Sequence, residues 1–433
     1  MIAFDPFTLT IVLIATLALF GQSIGIAMLC GTIVYLGLRH FDTSIAAETL
    51  LQGLFNGYTL LAIPLFILAA DIMNIGTLAD RLLRFSQALV GRFRGGLGHV
   101  NVVASLIFSG MSGSAVADAV GMGRIIINLM TKDGKYTPSY AAAITAASAT
   151  IGPIIPPSIP MVLYALVSDT SIGYLFAGGI LPGLLMGVML MAMNTVIAHR
   201  RNLPTDEAVP LIEIPAITAR AFPALMLPII LLGGIYGGVM TPTEAAAVAA
   251  FYALVISVFL YRAVSLRQFY GTLLNSARST ATVGLLIAGA LAFNFVVTRE
   301  DVPNKIAVFV QQFDLSQAGF LLVINILFLI LGCIMEAGAI LVIIVPIFIP
   351  TVLALGIDPV HFGVVVVVNS MIGLITPPYG LLLFIVAGIT NQPIGRVVRD
   401  LVPFIFALIA ALMVITFVPD FVLFIPRLLG YKG

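Results

Sequence analysis

Residues Ile151-Gly-Pro-Ile-Ile-Pro-Pro157 of the first half return in the second half as Ile372-Gly-Leu-Ile-Thr-Pro-Pro378. Both copies lie inside long apolar runs. The glycine and the proline pair interrupt a helix, because proline has no backbone N–H and clashes with the preceding turn. In a bilayer, the freed backbone groups must be buried in protein or line a cavity. Two broken helices at matching positions of two halves therefore indicate the binding site of a secondary transporter.

The composition is that of a membrane protein. Of the 433 residues, 61% are hydrophobic and 9% are charged, whereas soluble domains carry roughly 25% charged residues. No Asp, Glu, Lys or Arg occurs in residues 6–38, 170–198 or 359–395. Because a transmembrane helix needs about 20 mostly apolar residues, these segments predict an all-α polytopic membrane protein. The first segment is expected to break near residues 21–25, and the net charge of +1 gives no indication of nucleic-acid binding.

One polar segment, residues 199–220, divides the chain near its middle. It predicts a linker between a first half, residues 1–198, and a second half, residues 221–433. The pair Arg200-Arg201 closes an apolar run, which indicates that this end faces the cytoplasm.

The repeat extends beyond the proline motifs. A shift of 221 residues carries Gly152 to Gly373 and Pro182 to Pro403. A glycine-rich apolar segment precedes each motif, and an apolar stretch shorter than a comfortable span follows each segment. We interpret these segments as tips of re-entrant helical hairpins, which enter the membrane and turn back. The expected tips are residues 110–115 and 332–339, and the expected breaks are residues 151–158 and 372–379. The sequence alone leaves open whether the repeats are inverted or parallel, and we expect them to be inverted.

Four motifs carry a resemblance to one known family, and they follow each other over nearly the whole chain in the order of that family. They are Gly-Met-Ser-Gly-Ser-Ala at 110–115, Ile-Gly-Pro-Ile-Ile-Pro-Pro-Ser at 151–158, Gly-Val-Met-Thr-Pro-Thr-Glu-Ala at 238–245 and Ile-Thr-Pro-Pro-Tyr-Gly at 375–380. They resemble the large membrane subunit of a TRAP (tripartite ATP-independent periplasmic) transporter.

The resemblance implies an elevator-type secondary transporter of the bacterial inner membrane. It also implies sodium-driven import of an organic anion, such as a C4-dicarboxylate or a sialic acid. The implied partners are a periplasmic substrate-binding protein, which delivers the anion, and a small membrane subunit of four helices. Because the chain begins almost at once with an apolar segment, we expect that small subunit to be a separate chain.

A first sodium site is predicted where the first tip faces the first break. Sodium is expected to take oxygen ligands, as the hard cations Ca²⁺ and Mg²⁺ do, and an unwound helix offers backbone carbonyls. Serine hydroxyls can complete such a shell without a carboxylate. The alternative is that these small residues only permit close helix packing. The predicted site comprises Ser112, Ser114, Gly152, Ile155 and Pro157.

The repeat predicts a second sodium site, formed by Gly332, Gly373, Thr376 and Tyr379. Thr376 corresponds to Ile155 and adds a hydroxyl. Asn369 lies one helical turn before Gly373, and two interpretations stay open: it faces the same cavity, or it forms an interhelical hydrogen bond.

The anion is expected between the two tips, where half-helix N-termini present free N–H groups. Arg299 is the basic candidate, although the following Glu300-Asp301 favours a solvated loop pair. Charged residues inside the membrane are costly and usually functional. The acids in or beside apolar runs are Asp71, Asp118, Glu244 and Glu336. Of these, Asp118 and Glu336 are the further candidates for substrate binding or coupling.

Glu244 is an intramembrane acid with a structural explanation. In Thr241-Pro242-Thr243-Glu244 it has the spacing of a capping box, in which its carboxylate accepts the N–H of the threonine cap.

Other functions are less compatible with the sequence. A symporter that works without a binding protein is the nearest alternative. A passive anion channel would need a continuous pore lined by polar rings, whereas the breaks occur at two localised points. An enzyme is not expected, because Ser112 lacks the Gly-x-Ser-x-Gly context and an assignable partner.

Overall fold

The computed structural model describes residues 5–74, 78–205, 209–262 and 264–433. Over these ranges the chain forms 21 α-helices and no strand apart from an isolated bridge between Arg94 and Thr205. The all-α prediction is confirmed. Asp206 and Glu207 of the predicted linker, and residues 1–4, lie outside the described residues.

The first half contains eleven of the described helices. They are α1 (Pro6–Leu19), α2 (Ile24–Leu38), α3 (Ser44–Asn56), α4 (Ala62–Met73), α5 (Leu78–Val90), α6 (Gly96–Ser112), α7 (Ala115–Val120), α8 (Met122–Thr131), α9 (Pro138–Ala149), α10 (Ile159–Ser168) and α11 (Ile172–Arg200). The gap between α1 and α2 falls at the expected break near residues 21–25.

The second half contains the other ten described helices. They are α12 (Ile214–Tyr236), α13 (Pro242–Val255), α14 (Leu266–Arg299), α15 (Val302–Gln312), α16 (Gln317–Ile334), α17 (Ala337–Ala354), α18 (Pro359–Gly373), α19 (Leu381–Thr390), α20 (Ile394–Phe417) and α21 (Pro419–Leu428). In the described residues, seven helices are long and apolar enough to cross a membrane, or eight if α4 and α5, bent by 75°, form one span.

The repeat is visible in the helix starts. A shift of 221 residues carries Pro138, which begins α9, to Pro359, which begins α18. Both prolines follow an N-cap side chain, Thr137 or Asp358, that accepts a backbone N–H of the first turn. The local chemistry is thus the same in both halves, since proline needs no N–H at this position. The starts of α10 and α11 map within one residue onto those of α19 and α20.

The two hairpins enter from opposite faces, as expected of inverted repeats. The open end of the first hairpin (α6 to α8) lies against the linker, because the Gly95 N–H donates to the Pro204 carbonyl at 3.0 Å. The two limbs of the second hairpin (α16 and α17) meet at the end opposite its tip. There the Gln317 side-chain amide donates to the Leu355 carbonyl at 2.7 Å. That end follows α14, which has 34 residues and carries the chain away from the linker face.

One expectation about the second hairpin was wrong. Its second limb, α17, has 18 residues and is long and apolar enough to span a bilayer, so it is not a short stretch. The bond from Gln317 to Leu355, which joins the two open ends, is what identifies a hairpin.

The broken helices form the centre of the molecule. Every residue of α18 from Val360 to Gly373 is buried, as is every residue of α9 from Tyr140 to Ala149. A helix that is apolar all round must be surrounded by protein or lipid. Here protein surrounds both. The first break is largely buried as well, as the bilayer requires of freed backbone groups, whereas residues 377–379 of the second break are exposed.

Candidate functional site

The first hairpin turns at Gly113, between α6 and α7. Gly113 has a φ of 60°, a left-handed conformation that glycine adopts at no steric cost. A Cβ at this position would also collide with the Pro157 carbonyl oxygen. The next residue, Ser114, caps α7 by accepting the Ala117 N–H at 3.3 Å. The first tip therefore packs directly on the first break.

A buried carboxylate joins the tip to the break. Asp118 is 3% exposed, and one of its oxygens accepts a hydrogen bond from the Ser112 hydroxyl. Its other oxygen, Oδ2, has no hydrogen-bond partner in the described residues. This oxygen lies against Gly152, where an added Cβ would collide with it. Buried polar atoms without partners are rare and call for an explanation, and a bound cation is one.

The first break runs from Thr150 to Ser158. Pro156 provides no N–H, so the Gly152 carbonyl, four residues earlier, loses its helical donor. Ser158 caps α10, since its hydroxyl accepts the Met161 N–H at 3.2 Å and donates to the Pro153 carbonyl. Of the predicted first-site residues, Ser112, Gly152 and Pro157 thus meet around Asp118 and Gly113.

The side chains of two predicted first-site residues make other interactions than the prediction assumed. The Ser114 hydroxyl serves as the helix cap described above. The Ile155 side chain packs towards α11, where a Cβ at Gly183 would collide with it. Only the backbone carbonyl of Ile155 remains as a ligand candidate.

The second break lies between α18 and α19, and its glycines pack backbone to backbone. A Cβ at Gly373 would lie 2.5 Å from the Gly332 Cα. At Gly380 the chain is left-handed, with a φ of 54°, and its N–H donates to the Cys333 carbonyl at 3.0 Å. Close packing of α16 against α18 therefore accounts for Gly332 and Gly373 in this structure.

The two remaining residues of the predicted second site lie on the open side of the break. The Thr376 hydroxyl donates to the Ile372 carbonyl at 2.8 Å and is partly buried. Tyr379 is 50% exposed, and its ring lies 5.0 Å from that of Phe384. The first break is enclosed by protein, whereas the second is partly open.

A cavity of about 400 Å³ lies between the two hairpin tips. The first tip contributes Ser112 to Ala117, and the second contributes Glu336 to Gly338. Asp71 of α4 and Ser279 of α14 close the other side. Asp71 also accepts a hydrogen bond from Ser276 of α14 at 2.6 Å. Asp71 is one of the intramembrane acids that the sequence indicates, but Asp118 and Glu336 were preferred to it, and no sequence signal indicated Ser279.

The charges around this cavity are unusual for an anion site. Its described lining contains two carboxylates, Asp71 and Glu336, and no basic side chain. The N-termini of four helices, α7, α10, α17 and α19, also face it. Glu336 is the N-cap of α17 but makes no side-chain capping bond, so the first N–H groups of α17 have no cap. Such N–H groups and the helix dipole attract anions.

Asn369 lies away from the described lining of the cavity and forms the interhelical bond of the second interpretation. Its side-chain amide donates to the Asn325 backbone carbonyl at 2.8 Å and to the Asn325 side-chain oxygen at 2.9 Å. Asn325 in turn donates to the Thr416 hydroxyl at 2.9 Å. This buried network connects α16, α18 and α20.

The local pair expected at Arg299 is not formed. The Arg299 guanidinium lies 5.2 Å from the centre of the Phe41 ring. Its neighbour Glu300 is paired with Arg39 of α2 at 2.7 Å and accepts the Tyr35 hydroxyl at 2.5 Å. The interaction of Glu300 with a distant helix displaced the expected one, and Arg299 is not part of the described cavity lining.

Comparisons with known proteins identify the family. Residues 7–421 match the family described as "Tripartite ATP-independent periplasmic transporter, DctM component". The sialic acid TRAP transporter large permease SiaM of Vibrio cholerae is 40% identical over 413 residues, which cover 95% of this chain and 96% of that protein. The C4-dicarboxylate TRAP transporter large permease DctM of Pseudomonas aeruginosa is 43% identical over 373 residues, covering 86% and 87%.

The fold is similar to that of a solved transporter. The YdaH transporter of Alcanivorax borkumensis, whose crystal structure shows an unusual topology, superposes with a TM-score of 0.66. The sequence identity is 16%, and the match covers 88% of both chains. At this identity the likeness concerns the fold alone.

These matches confirm that the chain is a transporter subunit of the bacterial inner membrane and not an enzyme. The seven or more apolar helices of the described residues agree with a multi-pass membrane protein. The chain belongs to the TRAP transporter large permease family, the DctM component.

Proposed function

We propose that this chain imports an organic anion by sodium symport. The substrate would be a C4-dicarboxylate or a sialic acid, the classes named for two of its relatives. A periplasmic binding protein would deliver the anion, and a small four-helix membrane subunit would accompany the chain.

The observation that carries the proposal is the charge of the cavity between the tips. The helix N-termini at the cavity attract an anion there, while the carboxylates of Asp71 and Glu336 repel it. Like charges at close range in a site of low dielectric are costly. Cations bound beside the cavity would offset this repulsion, so the anion would bind well only after sodium. This differential affinity is what couples the two gradients.

The first sodium ion would bind where Asp118, Ser112 and the first break meet. The Asp118 Oδ2 atom has no described partner and faces Gly152. With the Ser112 oxygen and the carbonyls of Gly152, Ile155 or Pro157, it provides the all-oxygen set that a hard cation prefers. A cation held there would fix the first tip to the broken helix.

The second ion would bind near the second break. We keep Gly332, Gly373, Thr376 and Tyr379 as its surroundings, and the glycines would act by positioning α16 against α18. Because the second break is partly open, this ion would be the one whose binding closes the site. Import would then proceed by an elevator movement of both hairpins and both broken helices past the remaining helices.

Basic residues indicate the orientation of the chain. They concentrate at the face that carries the linker, and basic loops mark the cytoplasmic side. Arg94, before α6, contacts Asn202 of the linker at 2.9 Å, and Arg201 of the linker contacts Asp400 of α20 at 2.7 Å. The loop before α6 and the first turns of α20 therefore lie at the linker face. We infer that the linker face is cytoplasmic. The basic residues are Arg92 and Arg94 before α6, Lys132 and Lys135 after α8, Arg200 and Arg201 at the end of α11, Arg262 after α13, and Arg396 and Arg399 in α20.

Uptake into proteoliposomes tests the proposal. The purified chain with its small subunit should accumulate labelled substrate only when the binding protein and an inward sodium gradient are both supplied. Equal uptake without the binding protein would favour the symporter that works alone. Uptake by the complete system without any sodium dependence would refute both cation sites.

Substitutions locate the first ion. Ser112→Ala removes an oxygen at the junction of tip and break, so it should raise the sodium concentration needed for half-maximal uptake. Ser109→Ala is a matched control in the same helix, since its buried hydroxyl donates to the Leu106 carbonyl at 2.6 Å instead. The same sodium dependence in both variants would contradict the assignment.

The same assay locates the second ion. Thr376→Val keeps the shape of the side chain and removes a hydroxyl, so it should raise the sodium requirement. Ile155→Val, at the corresponding position of the first half, should leave it nearly unchanged, because a carbonyl ligand survives. Equal effects would mean that packing governs both positions.

A further inference from the structure

A second and larger cavity lies at the linker face, apart from the cavity between the tips. It measures about 600 Å³ and is enclosed by α5, α8 and α12. None of its described lining residues belongs to either hairpin tip or either helix break. The transport mechanism proposed above does not use it.

The polar wall of this cavity is basic. Arg81 and Arg84 of α5 and Arg220 of α12 line it, against a single carboxylate, Asp80. The wall is held in place by Tyr261, whose ring lies 4.3 Å from the Arg81 guanidinium. The Tyr261 hydroxyl also donates to the Arg220 backbone carbonyl at 3.1 Å. The side chains of Arg84 and Arg220 are exposed at the cavity, so they are accessible to a ligand.

The remaining lining is mostly aliphatic and is formed by Leu83, Ile125, Leu129 and Ile217. A cavity lined by both arginines and aliphatic side chains matches a ligand that is itself amphipathic. Helix α5 has the same division, because Leu82 and Leu83 are buried whereas Arg84 is exposed. A helix of this kind lies in the interfacial region of a bilayer.

With the linker face cytoplasmic, as inferred under the proposed function, the position of the cavity at the ends of membrane-spanning helices puts it at the level of the lipid headgroups on that side. Arg220 lies in the second turn of α12, and Tyr261 lies at the end of the span that begins with α13. Basic pockets between transmembrane helices on this side bind the headgroups of anionic lipids. Free phosphate shares the anionic chemistry, but it would leave the aliphatic wall in contact with water.

We propose that this cavity binds an anionic phospholipid, with its phosphate at Arg84 and Arg220 and its acyl chain along the aliphatic wall. The bound lipid would contact three parts of the fold. They are α12, the return limb α8 of the first hairpin, and α5, which connects α4 to α6. The proposal is independent of the sodium sites.

Native mass spectrometry of the complete transporter tests the proposal directly. The probe is dioleoylphosphatidylglycerol, with dioleoylphosphatidylcholine as the neutral comparison. The wild type should retain one phosphatidylglycerol more tightly than phosphatidylcholine. Arg84→Gln and Arg220→Gln should each weaken retention about fivefold, which is about 1 kcal/mol for each basic residue near the surface.

The test needs a matched control variant and evidence that the variants are folded. Arg267→Gln changes an exposed arginine in the first turn of α14 that does not line the described cavity, so it should retain lipid as the wild type does. An unchanged size-exclusion profile and melting temperature would show that the variants are folded. Equal retention in all four proteins would overturn the proposal.

A second experiment distinguishes a lipid phosphate from free inorganic phosphate as the ligand. Inorganic phosphate at millimolar concentration should not displace the bound phosphatidylglycerol or raise the melting temperature of delipidated protein. Stabilisation by inorganic phosphate that is lost in Arg84→Gln and Arg220→Gln, without retention of lipid, would show a solvent anion site and overturn the lipid assignment.

Discussion

The contact between Gly332 and Gly373 predicts a specific cost for adding one methyl group. In Gly373→Ala, the new Cβ would lie 2.5 Å from the Gly332 Cα and 2.7 Å from its carbonyl carbon. Ordinary contacts begin at 3.4 Å. Both atoms belong to the backbone, so no side chain can move aside, and α16 must retreat from α18 by about 0.9 Å. Overpacking of this kind costs about 1–3 kcal/mol.

The control for this substitution is Gly388→Ala in α19, where an added Cβ meets nothing within 4 Å. Both substitutions replace a helical glycine, so both restrict the unfolded chain and gain about 0.4–1 kcal/mol. This gain cancels in the comparison, and the difference between the two variants isolates the overpacking cost. It corresponds to a factor of about 5 to 150 in the equilibrium between folded and unfolded protein.

Two assays measure the difference. In a detergent melt followed by circular dichroism, Gly373→Ala should unfold at a lower temperature than Gly388→Ala. In a Cys30→Ala background, a thiol-reactive dye should label the buried Cys333 faster in Gly373→Ala, because Cys333 lies next to the displaced contact. Coincident melts and equal labelling rates would refute the reasoning and leave the two glycines without a packing role.

Three further substitutions have expected outcomes. Asn369→Asp places a carboxylate against the two oxygens of Asn325 that now accept hydrogen bonds, so it should lower the melting temperature more than Asn369→Ala does. Glu300 has a pKa below its usual value, chiefly because it accepts the Tyr35 hydroxyl. Its stabilising contribution is therefore present above the pKa of the unfolded chain and is lost as the pH falls through the lowered folded value. Melting temperatures of Glu300→Gln should vary less with pH in that acidic window than those of the wild type. Thr241→Ala removes the cap of α13 and should cost about 1 kcal/mol, measured against the wild type in the same melt.

Much of the fold could be predicted because its decisive signals act on the local backbone. The breaks at residues 151–158 and 372–379 follow from proline and glycine, which remove donors and tolerate unusual backbone angles wherever they occur. The capping box at Thr241 and Glu244 is formed as predicted, with bonds of 3.3 and 2.8 Å. Such interactions join residues three or four apart and need no tertiary partner.

Side-chain partners were predicted less well, because they depend on which helices become neighbours. Arg299 and Glu300 are adjacent in sequence, yet Glu300 pairs with Arg39 and Arg299 stacks on Phe41. Asn369 could have faced a cavity or another helix, and only the packing of α16 against α18 selected Asn325 as its partner.

The sequence by itself determined an all-helical membrane protein with two repeats, each holding a hairpin and a broken helix, because composition and backbone chemistry are local properties. The tertiary structure decided that Asp118 lies against Gly152, and that Asp71 and Glu336 share one cavity. These groups come from residues up to 265 positions apart in the chain. Their meeting depends on how the two halves and the surrounding helices pack, which no local pattern of residues specifies.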